Sequence, residues 1–454
     1  MQIKSTRHAS MLLLFFATTI GSFHFYNSSE RIKIAAEMEN SLKNELLNKW
    51  YPQSMDTVWG GFFSTFTYDF SRTGPQNKMI VSQARHTWTN SKASQMYPGV
   101  AYYKTGARHG FRFLNDVMWD KKMGGFFTLV DRQGRIVNDE SKTSYGNAFG
   151  IYAISAYYAA TGDSNALNKA REAFYWLEKG AHDPIAYGYY QDLHQDGTPI
   201  KRKETNFSTS SIGYKDQNSS IHLLEAFTEL YSVWPEPLVR RRLEEMLLLI
   251  RDTITSPEGY LYLFLQPDWR PISFKDSTKS SILKHRNLDH VSFGHDVETA
   301  FLMLEASHAL GNKNDTKTLS VAKRMVDHAL LNGWDNKSGG FYDEGYYFKN
   351  QPGITIIKDT KNWWAQAEGL NTLLVMADFF PNDKMNYFQK FKQLWKYVQS
   401  YLIDHRYGDW YEGGLDKEPH KRKALKGHIW KATYHQYRAI TSCIANLRKS
   451  STHP

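Results

Sequence analysis

The stretch Trp59-Gly60-Gly61-Phe62-Phe63 introduces a motif, glycine followed by aromatic residues, that occurs six times along the 454-residue chain. The other five copies are Gly124-Gly125-Phe126-Phe127, Tyr187-Gly188-Tyr189-Tyr190, Gly259-Tyr260-Leu261-Tyr262, Gly339-Gly340-Phe341-Tyr342 and Gly408-Asp409-Trp410-Tyr411. Glycine permits the backbone angles of tight connections, and the aromatic residues can pack back onto the joined helices. A motif repeated roughly every 70 residues is typical of stacked supersecondary units that share one core.

Each interval between turns carries one helical pattern that is apolar nearly all round and one that is amphipathic. The first kind predicts inner, buried helices near 84–104, 145–160, 217–233, 295–310, 363–379 and 430–447. The second kind predicts outer helices near 37–50, 107–119, 164–180, 236–254, 314–331 and 382–402. Together they predict an all-α fold, a closed (α/α)6 barrel of six helical hairpins with short Gly-aromatic turns.

Small-residue breaks and one long connection complete the predicted organisation. We expect helix C-caps at Thr105-Gly106, Thr161-Gly162-Asp163 and Gly311-Asn312. The polar segment 265–292 is longer than the other connections, and long loops in compact domains tend to cap sites.

Composition narrows the classes of partner. The chain carries 56 Lys and Arg against 46 Asp and Glu, a net charge of +10, but the only dense basic cluster is His420-Lys421-Arg422-Lys423 with Lys426. Without a basic stripe or a known module, we expect no nucleic-acid partner. The single Cys443 excludes a disulfide framework and a cysteine-rich zinc site.

The N-terminus has the pattern of a secretory leader. Lys4, Arg7 and His8 precede an apolar run from Met11 to Ile20, which is short for a membrane span. We expect a signal peptide or an N-terminal anchor over residues 1–28 and a catalytic barrel domain over 29–454. The protein would then be secreted or periplasmic, and membrane-anchored only if the segment stays uncleaved.

Unusual polar residues gather at the predicted start of every inner helix. Because equivalent repeat positions lie at equal height in a ring, these sets should converge on one mouth, where helix N-termini favour a developing anion. In chain order the sets are Arg85 and Trp88; Tyr145 and Asn147; Asn218, His222 and Glu225; His295, Asp296 and Glu298; Trp363, Trp364 and Glu368; and Tyr434, His435 and Arg438.

Two histidines precede a glutamate at the same spacing. His222 with Glu225, and His295 with Glu298, each lie on one helical face. A single histidine on an apolar face is more often a core residue, but repetition at matching positions favours function, since a neighbouring carboxylate fixes the imidazole tautomer. Such pairs on facing helices can also bind a metal ion, which remains an alternative.

The tryptophan pair and the arginine each allow two interpretations. Adjacent helical residues point about 100° apart, so Trp363 and Trp364 cannot both face one core wall. At least one is then a platform for the apolar face of a sugar ring. Arg85 is either a structural ion-pair partner or a contact for a carbonyl or oxyanion beside Trp88.

On these residues the chain resembles the N-acylglucosamine 2-epimerase superfamily, and within it the cellobiose 2-epimerase branch. The segments that carry the resemblance are Arg85-His86-Thr87-Trp88-Thr89, Tyr145-Gly146-Asn147-Ala148-Phe149, His222-Leu223-Leu224-Glu225-Ala226, Gly294-His295-Asp296-Val297-Glu298, Trp363-Trp364-Ala365-Gln366-Ala367-Glu368 and Trp430 to Ala439. The chain departs from the family pattern at Ser220, where a histidine is usual, and at Thr433, where a proline is usual.

The resemblance implies an isomerase that interconverts C2 epimers at the reducing end of a β-1,4-linked disaccharide or oligosaccharide, without metal or cofactor. It implies that His295 and His435 are the acid/base pair, supported by His222 and Glu298, and that Arg85 holds the carbonyl oxygen. It also implies that Trp363 and Trp364 stack on the sugar. From their places at the mouth, we further expect substrate binding by Trp88, Tyr145, Asn218, Glu368 and Arg438.

Other functions stay open at this point. One is a monosaccharide enzyme of the same superfamily, either an aldose–ketose isomerase or an N-acylhexosamine 2-epimerase. A glycoside hydrolase would need two carboxylates facing each other, whereas this mouth is dominated by histidine. A non-catalytic sugar-binding protein would not need three histidines facing the ring.

Overall fold

Twelve long helices in two concentric layers form the barrel in the computed structural model, which describes residues 28–138, 141–200, 214–349 and 351–449. The inner layer holds the helices Ile80–Met96, Ser144–Thr161, Gln217–Val233, Phe293–Ala309, Trp363–Phe379 and Tyr434–Lys449, here called the first to sixth inner helices. Their side chains are buried nearly all round because each lies between its two neighbours and the outer layer.

The outer layer is amphipathic. Its helices are Ser28–Ser41, Ala101–Phe113, Ser164–Gly180, Pro237–Leu249, Thr316–Asn332 and Tyr387–Tyr397. Four of them continue into a wider π turn, at Leu42–Leu47, Leu114–Met118, Ile250–Ile254 and Val398–Leu402, and the first then ends in Asn48–Trp50.

The ring closes through its first and last inner helices. Each inner helix packs against the next, and Tyr434–Lys449 packs against Ile80–Met96. The first outer helix also packs against the sixth inner helix, so the two chain ends of the barrel are joined. The predicted all-α (α/α)6 barrel is therefore confirmed.

Some predicted bounds were wrong. The first inner helix ends at Met96, before Pro98-Gly99, and the next helix begins at Ala101 instead of 107. Gly106, expected to end a helix, lies within one: a Cβ there would sit 2.3 Å from Oδ1 of Asn90. Gly106 thus allows two helices to approach closely. The breaks at Gly162 and Gly311 do occur, both at positive φ.

All six Gly-aromatic turns form small antiparallel bridges after an outer helix. The bridged residues are Met55 with Phe62, Trp119 with Phe126, His182 with Tyr189, Thr255 with Leu261, Trp334 with Phe341 and Ile403 with Trp410. Short antiparallel strands then lead to the inner helices: Lys78–Met79, Leu129–Val130, Ile136–Asn138, Ser141–Thr143, Asp192–His194, Lys215–Asp216, Phe264–Leu265, Val291–Ser292, Glu344–Tyr346 and Thr355–Lys358.

A buried ion pair between an aspartate and a lysine stabilises five of the six turns. In each, the aspartate accepts hydrogen bonds from turn amides and the lysine Nζ lies 2.7 to 3.1 Å from the carboxylate. The pairs are Asp56 with Lys78, Asp120 with Lys142, Asp183 with Lys215, Asp335 with Lys361 and Asp404 with Lys426. Pairing and extra hydrogen bonds make these buried charges tolerable.

The fourth repeat lacks this pair. Ser256 stands in the place of the aspartate, and Val291 stands in the place of the lysine that precedes the inner helix. Asp296 then anchors the turn, because its Oδ1 accepts from the Leu261 amide at 2.9 Å, as Gln83, Asn147 and Gln366 do in other repeats. Asp296 therefore belongs to the barrel wall and not to the mouth.

The long connection between the fourth outer and fourth inner helices has structure of its own. It contains the helix Lys279–His285, a 3-10 turn at Arg286–Leu288 and the strand Val291–Ser292, and it leads directly to His295. The expected leader, residues 1–28, lies outside the described residues except for Ser28. Within the described ranges, no helix combines the length and the apolar character needed to cross a bilayer.

Candidate active site

The polar residues of the mouth lie at three different depths along the inner helices. Tyr145, Asn218, His295, Trp364, Tyr434 and His435 lie in the first turn of their helices. Arg85, His222, Glu298, Glu368 and Arg438 lie about one turn deeper, and Glu225 and Trp88 deeper again, since each residue adds about 1.5 Å of rise. The sets converge, but on different levels of one cavity.

Arg438 forms the centre of a charged floor beneath the first-turn residues. Its Nη1 contacts Glu225 Oε1, and its Nη2 lies 2.6 Å from Glu298 Oε1 and 2.7 Å from Glu368 Oε1. All four side chains are at least nine-tenths buried. One guanidinium among three carboxylates leaves the floor with negative charge, which partly offsets the cost of placing an imidazolium above it.

Arg438 and Glu368 thus hold positions other than those expected of sugar-binding residues. Arg438 is enclosed by glutamates and by Tyr434, whose hydroxyl lies 2.5 Å from Nη1. Glu368 Oε1 already accepts from Arg438, so toward His435 it acts as an acceptor too. We assign both to the support of the histidines.

Each of the three histidines is held at Nδ1. His222 Nδ1 lies 3.0 Å from Glu225 Oε2, His435 Nδ1 lies 2.7 Å from Glu368 Oε1, and His295 Nδ1 lies 2.8 Å from the hydroxyl of Ser292. Because Nδ1 is engaged, Nε2 of each ring is the nitrogen left for a ligand. Glu298, expected to support His295, lies instead 3.9 Å from His435 Nδ1.

The surroundings favour neutral imidazoles. Burial, with the nearby His222, lowers the pKa of His295 to about 3. Burial, together with the positive charges of Arg85 and Arg438, lowers the pKa of His435 well below its ordinary value. Both rings are therefore unprotonated at neutral pH, which is the form that can accept a proton from carbon.

The glutamates of the floor differ in their proton affinity. Burial alone would raise the pKa of Glu225, but Arg438 and His222 hold it at about 2. Burial and the neighbouring Glu298 raise the pKa of Glu368, whose Oε2 has no hydrogen-bond partner. A proton on that free oxygen leaves Oε1 available to accept from His435 and Arg438.

Arg85 borders the upper cavity beside aromatic rings. Its Nη1 donates to the Trp430 carbonyl at 2.6 Å, and its Nη2 lies 3.3 Å from the Tyr145 hydroxyl. The guanidinium carbon lies 4.7 Å from the ring centroid of Phe149. Among the described residues no carboxylate lies within ion-pair distance of Arg85, so the interpretation as a structural ion-pair partner is not supported.

Trp364 and Trp363 take different places, as their 100° separation requires. The Trp364 ring centroid lies 4.6 Å from that of His295 and 5.8 Å from that of His435, so one indole contacts both histidines. Trp363 is 8% exposed and packs against Lys431 and His428 in the wall. Trp364 is therefore the tryptophan that contacts His295 and His435. Trp363 packs in the barrel wall, as expected for a core residue.

Trp88 also lies away from the mouth. It stacks on Tyr152 at 5.3 Å between ring centroids and lines a cavity on the far side of Arg438, toward the C-terminal ends of the inner helices. Trp88 is the ninth residue of the first inner helix, about one turn deeper than Arg85, and its ring faces this lower cavity, so the expectation that it contacts the sugar at the mouth was wrong. Asn218 is half-buried, one helical turn before His222.

The structure adds two residues to the predicted set, Trp430 and Ser292, and it confirms that Glu225 and Tyr434, already named at the mouth, contact Arg438. Trp430 is 46% exposed and contacts Arg85 through its carbonyl and Tyr145 through its ring. Ser292 lies three residues before His295 and contacts its Nδ1. Thr433, where a proline was expected, bonds Tyr51 and Thr89 through its hydroxyl.

One group of side chains has the spacing of metal ligands among the described residues. Atoms of Glu298, Glu368 and His435 lie within 4.8 Å of one another. The set differs from the ligands that the alternative metal interpretation would use, which are His222, Glu225, His295 and Glu298. Arg438 Nη2 already contacts both glutamates of this group, and its positive charge competes with a cation there.

The structure is a barrel of helix pairs, and its mouth holds three histidines above a floor of three glutamates and one arginine. The sequence match assigns this barrel to a family. The chain belongs to the N-acylglucosamine 2-epimerase (GlcNAc 2-epimerase) family, whose model matches residues 61–439.

The relatives cover nearly the whole barrel. The chain is 28% identical over 420 residues to a cellobiose 2-epimerase of Ruminococcus albus, covering 90% of this chain and 98% of the relative. It is 25% identical over 402 residues to a D-mannose isomerase of Marinomonas mediterranea, covering 88% and 94%. The solved cellobiose 2-epimerase of Spirochaeta thermophila superimposes with a TM-score of 0.78 at 28% identity, covering 93% of this chain and 98% of that structure.

Proposed function

We propose that this protein is a sugar 2-epimerase that interconverts glucose- and mannose-type C2 epimers at the reducing end of a β-1,4-linked disaccharide or short oligosaccharide. The observation that carries the proposal is the contact of one indole, Trp364, with both His295 and His435, each of which is held at Nδ1. A carbon beside that indole is within reach of two separate imidazoles.

The proposed reaction moves one proton. In the open-chain sugar, Nε2 of one neutral histidine removes the C2 proton, and the C2–H electrons form the C1–C2 double bond of an enediolate. Because both rings are neutral in the free protein, the other histidine first takes up a proton from solvent in the sugar complex; it then delivers that proton to the opposite face of C2, and the aldehyde re-forms. The pair therefore works with one ring neutral and one protonated, and the two exchange roles in the reverse reaction.

The charged groups suit that cycle. The negative floor stabilises the imidazolium that forms after abstraction, because Glu368 contacts His435 directly. Arg85 also supports the proposal. Its guanidinium borders the upper cavity beside Tyr145, where it can stabilise the negative oxygen of the enediolate. His222, held by Glu225, is proposed to bond a sugar hydroxyl near the same oxygen.

Two features support a disaccharide over a monosaccharide. Trp430 exposes its indole at the rim above Arg85, where a second sugar ring can pack on it. The second feature is that the chain is 28% identical to a cellobiose 2-epimerase and 25% identical to a D-mannose isomerase over similar lengths. The similarity to a D-mannose isomerase keeps a monosaccharide aldose–ketose isomerase as the second candidate, since it would use the same enediolate with protonation at C1.

A sugar panel in deuterated water tests the proposal. We would incubate the protein with cellobiose, mannobiose, glucose, mannose and N-acetylglucosamine and follow C2 deuteration and product by NMR. Deuterium at C2 with formation of the C2 epimer of a disaccharide is the expected result. A ketose product from mannose alone would establish the second candidate, and disaccharide hydrolysis without exchange would refute both.

We further propose export from the cytoplasm, on the basis of the basic and apolar run within residues 4–20. Expression of the full chain in a bacterial host, followed by fractionation and N-terminal sequencing, tests this. Recovery in the periplasm or medium with the leader removed is expected, and recovery of the intact chain in membranes would establish the anchor. An intact cytoplasmic protein would contradict export.

A further inference from the structure

The fourth inner helix begins without the capping bond that its neighbours make. Thr143, Asp216 and Asn362, at the N-caps of the second, third and fifth inner helices, each accept a hydrogen bond from the backbone amide three residues on. Ser292 holds the equivalent place and is a favoured capping residue. Its side chain makes no bond to a helix amide.

The Ser292 hydroxyl bonds a side chain in that same third residue. Its Oγ lies 2.8 Å from Nδ1 of His295, whose backbone amide would be the usual capping donor. Ser292 is 7% exposed, so the hydroxyl is shielded from water that would compete for the bond. The cap is replaced by a contact to an imidazole that faces the cavity.

The repeat around Ser292 departs from the others in a matching way. Val291 replaces the lysine that stands one position before the N-cap in the first, second, third and fifth repeats, and Ser256 replaces its aspartate partner. The fourth repeat therefore differs from the others both in its turn and in the side-chain contact of its N-cap residue.

We propose that Ser292 is the positioning residue of His295: its hydroxyl holds Nδ1 and thereby directs Nε2 toward C2 of the sugar. This inference rests on the proposed epimerase function. A hydroxyl can accept from Nδ1–H or donate to a bare Nδ1, whereas Glu368 only accepts from His435 through Oε1. The two histidines are thus held by different chemistry, and loss of the Ser292 hydroxyl should affect one face of C2 only.

The test compares Ser292→Ala and Ser292→Thr with His295→Asn and His435→Asn. C2 deuterium exchange is measured separately from each epimer of the disaccharide. His435→Asn should still exchange one epimer, and this identifies the epimer whose C2 proton His295 removes. For that epimer, Ser292→Ala should slow exchange by about 10- to 100-fold, the scale of a misplaced reacting group. Exchange of the other epimer should stay within about two-fold, and Ser292→Thr should restore most of the loss.

Asp163→Ala is the matched control for capping. Asp163 caps an outer helix far from the cavity by accepting from the Asn165 amide at 3.0 Å. It should lower Tm without changing exchange of either epimer. If Ser292→Ala lowers Tm in the same way and leaves exchange unchanged, or slows both epimers equally, the positioning role is refuted.

A second readout needs no substrate. Proteins carrying 15N-histidine show ring nitrogen shifts that report tautomer and hydrogen bonding, assigned here with the His→Asn variants. Ser292→Ala should move the His295 ring resonances and leave those of His222 and His435 in place. An unmoved His295 signal overturns the inference. If wild-type protein exchanges no sugar, the epimerase proposal fails by itself, and the His295 signal still decides the role of Ser292.

Discussion

Nδ1 of His435 lies 2.7 Å from Oε1 of Glu368, an oxygen that also receives Nη2 of Arg438. Because that oxygen accepts from both groups, the proton of neutral His435 resides on Nδ1 and Nε2 stays free. Glu368 therefore sets the tautomer in which His435 can act as a base.

Replacement of Glu368 by glutamine tests this relationship. The amide can present its N–H₂ group to Nδ1 and stabilise the unproductive tautomer, so kcat should fall by about two to four orders of magnitude. The matched control is Glu229→Gln, because Glu229 pairs with Lys92 on the far side of the floor. That control should retain kcat within about three-fold, as expected for a residue that does not touch the reacting groups. Equal losses in both variants would contradict the assignment.

Removal of Arg438 should unfold the barrel more readily. Arg438→Met leaves three buried carboxylates without their cation, and breaking a buried ion pair costs about 3 to 5 kcal/mol. Denaturant titration followed by circular dichroism measures the loss. Arg438→Lys keeps the charge but not the forked contacts to Glu225 and Glu298, and it should fall between wild type and Arg438→Met. An unchanged midpoint in Arg438→Met would show that the floor is not structural.

The acid limb of kcat/KM should lie below pH 6.5, the ordinary pKa of histidine. Burial lowers the pKa of His295 to about 3 and lowers that of His435, so the ring that acts as the base resists protonation below that pH. The same shifts make the folded protein less stable below pH 6.5, because the unfolded chain binds protons that these buried rings do not. Circular dichroism at each pH separates the two effects. An acid limb at 6.5 or above in folded protein would contradict the assigned environment.

Chelation should leave activity unchanged. The group with metal-ligand spacing, Glu298, Glu368 and His435, is already engaged by Arg438. Overnight dialysis against EDTA, followed by assays with and without added Mg²⁺, Mn²⁺ or Zn²⁺, measures the effect. Activity that is lost on dialysis and restored by one of these ions would establish a metal-dependent site.

The ring and its histidines were predictable from sequence because both follow from repetition. The glycine-aromatic turns set the repeat, and the place of His222, His295 and His435 near the start of three inner helices brought them to one cavity, although His222 lies about one turn deeper than the other two. Even Glu225 was signalled by helical spacing. These features depend on position along a helix, which sequence records directly.

The depth of each side chain in the barrel, and the residues that it contacts on other helices, were not predictable from sequence in the same way. Trp88 and Arg85 are three residues apart, yet Trp88 lines the cavity beyond Arg438, whereas the Arg85 guanidinium reaches the Trp430 carbonyl at the rim. Arg438 became the centre of the floor because three glutamates from three different helices converge on it. Glu298 faces His435 and not His295, its neighbour in sequence, since the ring brings the two helices together. Such contacts depend on packing between helices.

The central claim is that His295 and His435 act on opposite faces of C2, and exchange without epimerisation tests it most directly. In deuterated water, His295→Asn and His435→Asn should each lose about two to four orders of magnitude in epimerisation with little change in sugar affinity. Each variant should still exchange the C2 proton of one epimer, and the two variants should exchange different epimers. Near-normal epimerisation in both variants, or exchange of the same epimer by both, would contradict the two-histidine account.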